Sequence, residues 1–167
     1  ETPPPPSIFA LSNGDHGIKV SSFSKIIATG LRMGWITGAP ALISRIAALR
    51  YDMGSSPFLG RVIAEMIRNG DLDRHVEDLR GIYLRKLERV EAALARYCAG
   101  YCSYVRPLGG FFLWLQLRPG ISSRDVQLAA NERGVIVGQG PQFFADGQAT
   151  NHLRLAFSYV AMEEIEE

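Results

Sequence analysis

The chain has 167 residues, 47% of them hydrophobic and 21% charged, which is typical of a globular protein and excludes a disordered one. Its formal net charge is +1 and its basic residues are dispersed, so the charge pattern predicts binding neither to nucleic acid nor to a membrane surface. No apolar run approaches the roughly 20 residues that span a bilayer. The length suits one domain, or one domain and part of another.

The first hundred residues alternate between strand and helix patterns. Alternation and apolar periodicity predict strands over 18–24 and 32–38, and helices over 41–53, 58–70 and 72–97. Asn69 and Gly70 end the second helix, and Asp71 is the predicted N-cap of the third. In that third helix apolar residues recur at spacings of three and four, which favours a core-facing helix over a coiled coil.

The remaining residues predict a smaller α+β arrangement. Strands are expected over 109–117, 134–138 and 152–158, with a helix over 122–134 and the start of another at the chain end. Ser122 and Asp125 form a capping pair for the first of these helices. Phe111, Phe112 and Trp114 are expected in the core, within a buried strand, rather than on a platform on which a cofactor stacks. We therefore predict two domains, residues 1–100 and residues 101–167.

Two cysteines, Cys98 and Cys102, are too few for a disulfide framework, and neither they nor the three histidines show the spacing of metal ligands. We expect reduced thiols in a cytoplasmic protein and predict no metal site.

The segment SSFSKIIATGLRMGWITG, residues 21–38, concentrates polar side chains where a strand ends. Lys25 follows the hydroxyls of Ser22 and Ser24, and Arg32 has a glycine two residues away on either side. Ligands bind at the ends of strands in α/β sheets, and a planar guanidinium suits phosphate oxygens. Such a lysine can also be an ordinary solvated charge. The neighbouring residues favour a site for a phosphorylated carbonyl compound.

This segment, as SFSK…GLRMGW, resembles the signature of class I/II aminotransferases, the fold-type I enzymes that use pyridoxal phosphate (PLP). Further blocks follow in that family's order, namely GWITGAPALISRI, PLGGFFLWLQL, ERGVIVGQGPQFF and NHLRLAFS. The resemblance covers residues 11–167 and is greatest to the subgroup of aminoadipate and kynurenine aminotransferases, which includes MocR-type regulators. It implies an α/β fold, the second half of the PLP-dependent transferase fold type I. The expected parts are a remnant of the large-domain sheet, an interdomain helix and a small C-terminal domain.

The resemblance also implies roles for individual residues. Lys25 matches the lysine that forms a Schiff base with PLP and then moves the substrate's α-proton. Ser22 and Arg32 match groups that bind the cofactor phosphate, with Ser24 assisting. Arg154 matches the arginine that holds the substrate carboxylate, and strand alternation independently places it opposite its leucine neighbours. A solvated arginine on an edge strand is the alternative for Arg154.

The function implied is an aminotransferase that exchanges an amino group between an α-amino acid and a 2-oxo acid, as a homodimer. The alternative is the PLP- and effector-binding module of a MocR-type regulator of the GntR family. The family places the acidic partner of the cofactor's pyridine nitrogen before the lysine, and neither Asp15 nor Asp52 matches it. Because the chain begins with Glu1, we expect this part to lie upstream, and the 167 residues alone to bind PLP weakly and transaminate negligibly.

Overall fold

The computed structural model describes residues 5–14, 17–49, 51, 54–147 and 150–166. The helices are α1 (Ile8–Leu11), α2 (Pro40–Ala48), α3 (Pro57–Arg68), α4 (Asp71–Tyr97) and α5 (Ser123–Asn131). The strands are β1 (Ile18–Ser22), β2 (Gly34–Gly38), β3 (Cys102–Tyr104), β4 (Phe112–Leu117), β5 (Gly138–Gln139) and β6 (His152–Ala156). Short 3-10 helices cover Thr29–Leu31, Gly140–Phe143 and Glu163–Glu166. This mixture is the predicted α/β class.

The chain packs into two compact units, Glu1–Leu79 and Arg80–Glu167. In the first unit, β1 and β2 pair as an antiparallel two-stranded sheet. Helices α2 and α3 each have a proline in the first turn, where the missing N–H has no intrahelical partner to lose. The boundary between the units falls inside α4, and the domain boundary near residue 100 remains a prediction.

The second unit is built on a four-stranded antiparallel sheet in the order β3-β4-β6-β5. Along β4 exposed and buried side chains alternate strictly. One sheet face and α4 together bury an apolar core of Leu87, Val90, Leu113, Leu115, Leu117, Val137, Leu153 and Phe157. Burying one such large side chain contributes about 1.5–3 kcal/mol, so this core dominates the stability of the unit. The opposite face of β4 and β6 stays accessible.

Helix α4 begins one residue earlier than its predicted N-cap implies. The N–H of Arg74 donates to the carbonyl of Gly70 at 3.2 Å, so Gly70 holds the N-cap position and Asp71 is the first helical residue. The Asp71 carboxylate instead pairs with the Arg74 side chain. The predicted core-facing stripe is confirmed in the part of the helix that packs on the sheet, through Tyr83, Leu87, Val90 and Leu94.

The strand predicted over 134–138 is wrong for all but its last residue. The N–H of Val135 donates to the Ala130 carbonyl at 2.9 Å, and that of Gly134 donates to the Asn131 carbonyl at 3.0 Å. Gly134 has φ +79°, as in many helix C-caps. These donors close α5, so they are not free to extend a strand, and β5 contains only Gly138 and Gln139.

Burial in β4 also differs from the prediction. Phe112 and Trp114 are 38% and 37% exposed, on the outer face of the sheet, rather than in the core. The reason is the period of a strand, since their neighbours Leu113 and Leu115 occupy the core face. The predicted cap of α5 is confirmed on one side, because the Ser122 hydroxyl accepts from the Asp125 N–H at 3.3 Å.

Two basic side chains of α4 hold the segment that follows β6. The Lys86 ammonium donates to the carbonyls of Ser158 and Val160 at 2.8 and 2.6 Å, and Arg89 donates to the Met162 carbonyl at 3.0 Å. The chain beyond β6 is thereby fastened to the helix. Among the described residues, no helix is both long and apolar enough to cross a membrane.

Candidate active site

The four residues predicted to bind a cofactor lie in the connection between β1 and β2. β1 ends at Ser22, and β2 begins at Gly34 directly opposite. After β1 the chain makes a tight turn in which the Ile27 N–H donates to the Phe23 carbonyl at 2.8 Å, and a 3-10 helix ending at Leu31 leads back to the sheet. The fold therefore gathers all four residues at one end of the two-stranded sheet.

Ser22 and Ser24 form a pair of hydroxyls. Their Oγ atoms are 2.9 Å apart, and the Ser24 N–H donates to Ser22 Oγ at 3.0 Å. The Met33 carbonyl lies 3.3 Å from Ser22 Oγ. Because each hydroxyl has one proton, a Ser22 hydroxyl that donates to Ser24 or Met33 leaves the Ser24 proton available. The pair can thus present a donor to a ligand oxygen.

Lys25 directly follows this pair and is exposed. Its ammonium makes no hydrogen bond or ion pair with any residue that the structure describes. The amine is therefore available for a ligand.

Arg32 is held in an uncommon backbone conformation. Its φ of 49° and ψ of 38° lie in the left-handed region, which costs a residue with a Cβ about 1–2 kcal/mol relative to the right-handed helical region. One guanidinium nitrogen donates to the Thr29 carbonyl at 3.2 Å, and the side chain is otherwise exposed. Strain of this kind is found disproportionately at functional sites, which favours a ligand role for Arg32.

The two glycines beside Arg32 serve different purposes. A Cβ on Gly34 would lie 2.6 Å from the Ser21 carbonyl oxygen, so the close approach of β1 and β2 itself requires glycine there. A Cβ on Gly30 would meet no atom within 4 Å, so the space around that residue is open. Only Gly30 is thus placed to let a ligand approach the backbone closely.

Taken together, the four side chains offer hydroxyl donors and positive charge. No carboxylate among the described residues contacts Lys25 or Arg32. Such a donor set suits an anion with several oxygens, such as a phosphate ester. An amine beside it can attack a carbonyl carbon when neutral. The residues present therefore fit a phosphorylated aldehyde.

Arg154 belongs to the second unit, at the centre of β6. It pairs with Trp114 of β4 on one side and Gly138 of β5 on the other, so its side chain lies on the outer sheet face. This confirms the predicted alternation along the strand. Its guanidinium carbon lies 4.3 Å from the ring centroid of Phe112 and 4.2 Å from that of Phe143.

The contact of these two rings with Arg154 was not predicted from the sequence. For Phe112 a signal existed, because the same alternation that exposes Arg154 also places Phe112 on the outer face. Phe143 lies in a 3-10 helix between β5 and β6, and no local pattern predicts its position. Asn151, three residues before Arg154, donates from its amide nitrogen to the Leu117 carbonyl, a bond between the end of β4 and the start of β6.

A shallow cavity of about 330 Å³ opens in the second unit, beside β3 and β4. Tyr101, Cys102 and Arg118 are among its lining residues, and none of the predicted site residues lines it. Burial raises the pKa of the Cys102 thiol, and the nearby Cys98 raises it further by a smaller amount. This thiol is therefore less readily ionised than an ordinary one. The cavity adds nothing to the site described above.

Comparisons with known proteins support the family predicted from the sequence. The family described as aminotransferase class I and II matches residues 2–167. An uncharacterised HTH-type transcriptional regulator of Bacillus subtilis is 31% identical over 98% of this chain and 34% of its own length. The 2-aminoadipate transaminase of Thermus thermophilus is 31% identical over 97% of this chain and 42% of its own length.

Among solved structures, the kynurenine aminotransferase of Pyrococcus horikoshii, in complex with PMP, is 31% identical and superposes with a TM-score of 0.90. The match covers 99% of this chain and 42% of that one. The chain thus spans between a third and a half of the length of these relatives. Its structure is a partial segment of the PLP-dependent aminotransferase fold type I, as predicted. The chain belongs to the class I and II aminotransferase family.

Proposed function

We propose that this chain supplies the PLP-binding lysine of an aminotransferase that exchanges an amino group between an α-amino acid and a 2-oxo acid. The observation that carries the proposal is the loop between β1 and β2. There Lys25, which has no partner among the described residues, follows a hydroxyl pair and shares its loop with a strained, exposed Arg32. Membership of the aminotransferase family supports it.

The phosphate of PLP would be held by Ser22, Ser24 and Arg32. Arg32 has guanidinium donors left over from its bond to Thr29, and the serine pair has a hydroxyl proton left over. Charge-assisted hydrogen bonds to a phosphate are stronger than neutral ones, so Arg32 would contribute most of the affinity for this group.

Lys25 would act as nucleophile and then as base. Pyridoxal phosphate supplies an aldehyde and a ring that accepts electron density from the substrate. The Lys25 amine, when neutral, would be the group that holds the aldehyde carbon, with the aldehyde oxygen leaving as water, and when released it would carry the substrate's α-proton. A single flexible side chain serves both steps.

Arg154 would bind the substrate's α-carboxylate. A guanidinium offers two parallel N–H donors along one edge, which match the two oxygens of a carboxylate. Within the described residues this edge has no hydrogen-bond or ion-pair partner. Arg154 is therefore available for this role.

The remaining parts of the proposal concern the whole protein. Within the described part of the chain no acidic side chain contacts Lys25 or Arg32, so we propose that the acidic partner of the pyridine nitrogen lies elsewhere in the protein. Asp15 and Asp52 lie outside the described residues. We further propose a cytoplasmic homodimer that acts in amino-acid metabolism, including biosynthesis, and no binding of nucleic acid by this segment.

Substituting Lys25 tests this function in the natural protein loaded with PLP. Lys25→Ala and Lys25→Arg should abolish amino-group transfer across a panel of amino acids. Lys19→Ala, which alters an exposed lysine on β1, should leave it unchanged. Full transfer by Lys25→Ala would refute the role of Lys25.

A second candidate function is favoured by a specific comparison. The Bacillus subtilis relative that matches 98% of this chain is a HTH-type transcriptional regulator. In that case the same residues would bind PLP and an effector, while a separate domain would bind DNA. Three results together would support this candidate over the enzyme. The natural protein would bind PLP through Lys25, would retard a DNA probe from its own promoter in a gel mobility-shift assay, and would show no amino-group transfer.

A further inference from the structure

Arg154 is flanked by two aromatic rings, one from the neighbouring strand β4 and one from the 3-10 helix that follows β5. In the sheet order β4-β6-β5, Arg154 lies on the middle strand. Phe112 approaches it from β4, one diagonal step from the Arg154–Trp114 pair, and Phe143 approaches from the side of β5. The two rings come within 4.3 and 4.2 Å of the guanidinium carbon.

The position of Phe143 depends on a glycine. Gly138 is the β5 partner of Arg154, and a Cβ placed on it would come within 3.1 Å of the Phe143 ring. A contact at that distance is tighter than nine in ten real Cβ contacts, so the Phe143 ring would have to shift by a few tenths of an ångström. Gly138 therefore provides the space in which the Phe143 ring lies against Arg154.

We infer that Phe112 and Phe143 are positioning residues that orient the Arg154 guanidinium for a carboxylate. This inference rests on the carboxylate-binding role proposed above for Arg154. Guanidinium faces are weakly hydrated and stack on aromatic rings, whereas the N–H donors lie in the plane at the edge. Two rings this close to the guanidinium carbon restrict the side chain's rotation, and among the described residues its N–H edge has no hydrogen-bond partner. Less conformational entropy is then lost when a carboxylate binds.

Phe144 provides a matched control in the same turn. It is 40% exposed and Phe143 is 42% exposed, so their substitution should perturb the fold to a similar extent. Phe144 contacts Trp114 and His152, and no contact of its ring with Arg154 is found among the described residues. An effect specific to Phe143 can therefore be separated from a general loss of aromatic packing.

The test measures Arg154 directly in the natural protein loaded with PLP. Phenylglyoxal modifies accessible guanidinium groups, and peptide mass spectrometry gives the rate of modification at Arg154. Propionate, a carboxylate with no amino or oxo group to react, protects a guanidinium that it binds. Its dissociation constant follows from the concentration needed to slow the reaction.

Phe143→Leu should make Arg154 react faster and weaken propionate binding about three- to tenfold, the range expected for one cation–π contact. Phe112→Leu should do the same, and Gly138→Ala, which shifts the Phe143 ring by a few tenths of an ångström, should change both values in the same direction by less. Phe143→Tyr keeps the ring and should restore both values, and Phe144→Leu should change neither. Equal effects of Phe143→Leu and Phe144→Leu would overturn the inference.

If the proposed function is wrong, the protection experiment gives a different result. If propionate does not protect Arg154 in the unaltered protein, the carboxylate role of Arg154 is wrong. The orienting role of the rings is then judged by the reaction rates alone. A faster reaction in Phe143→Leu than in Phe144→Leu supports ring stacking on Arg154, and equal rates refute it.

Discussion

Arg32 allows backbone conformation and side-chain chemistry to be tested separately. Its φ of 49° is in the left-handed region, where a residue with a Cβ is disfavoured by about 1–2 kcal/mol. Arg32→Ala and Arg32→Gly both remove the guanidinium and its bond to the Thr29 carbonyl, so the difference between them reports the backbone alone. The extra freedom of glycine in the unfolded chain offsets about 0.4–1 kcal/mol of this difference. We expect Arg32→Gly to be more stable than Arg32→Ala by about 0.5–1 kcal/mol in urea unfolding.

The same two variants test phosphate binding. A hydrogen bond to a charged group contributes about 1.5–3 kcal/mol, so both variants should bind PLP about ten- to a hundredfold more weakly. Pyridoxal lacks the phosphate, and its affinity should stay within about twofold of the unaltered protein's. Arg61→Ala, at an exposed position of α3, is the control and should change neither affinity. Equal weakening of PLP and pyridoxal would show that Arg32 does not act on the phosphate, and a more stable Arg32→Ala would refute the backbone reasoning.

Three further predictions concern the second unit. Lys86→Met should lower the free energy of unfolding by about 1–3 kcal/mol, because two backbone carbonyls beyond β6 lose their charged donor; an unchanged urea midpoint would contradict this. Leu113→Ala should cost about 2–5 kcal/mol, since Leu113 is fully buried at 0% exposure, whereas Leu108→Ala at 93% exposure should cost less than about 0.5 kcal/mol. Burial, and next Cys98, raise the pKa of Cys102, so at pH 8 less of it is thiolate and it should react with iodoacetamide more slowly than a free thiol. Cys98→Ser removes the second cause and should speed that reaction, as peptide mass spectrometry would show.

The sequence predicted the structure correctly where a local residue pattern is compatible with only one secondary structure. The alternation of 152–158 predicted β6 and placed Arg154 on the outer face, and the three-and-four spacing predicted α4 through to Tyr97. Ser122 is similarly local, because an N-cap depends only on the residues that follow it within one turn. The motif around Lys25 was recognisable because its residues lie within a single loop.

The sequence did not predict the structure correctly where hydrogen bonds or contacts between distant residues determine the local conformation. Val135 has a strand-forming side chain, but its N–H closes α5 instead, and local propensity does not include that competition. Phe112 lies within an apolar run that favours a fully buried strand, yet only one face of β4 is buried in the core. Phe143 reaches Arg154 because Gly138 leaves space on the neighbouring strand, a relationship that requires the register of β5 with β6.

The most direct test of the central claim is to identify the lysine that holds the cofactor. Borohydride reduction of the natural protein loaded with PLP, followed by proteolysis and mass spectrometry, fixes the cofactor to the amine that binds it. This chain contains three lysines, Lys19, Lys25 and Lys86. We predict that the peptide containing Lys25 carries the cofactor and that the peptides containing Lys19 and Lys86 do not. An unmodified Lys25, with the cofactor on another lysine, would contradict the account.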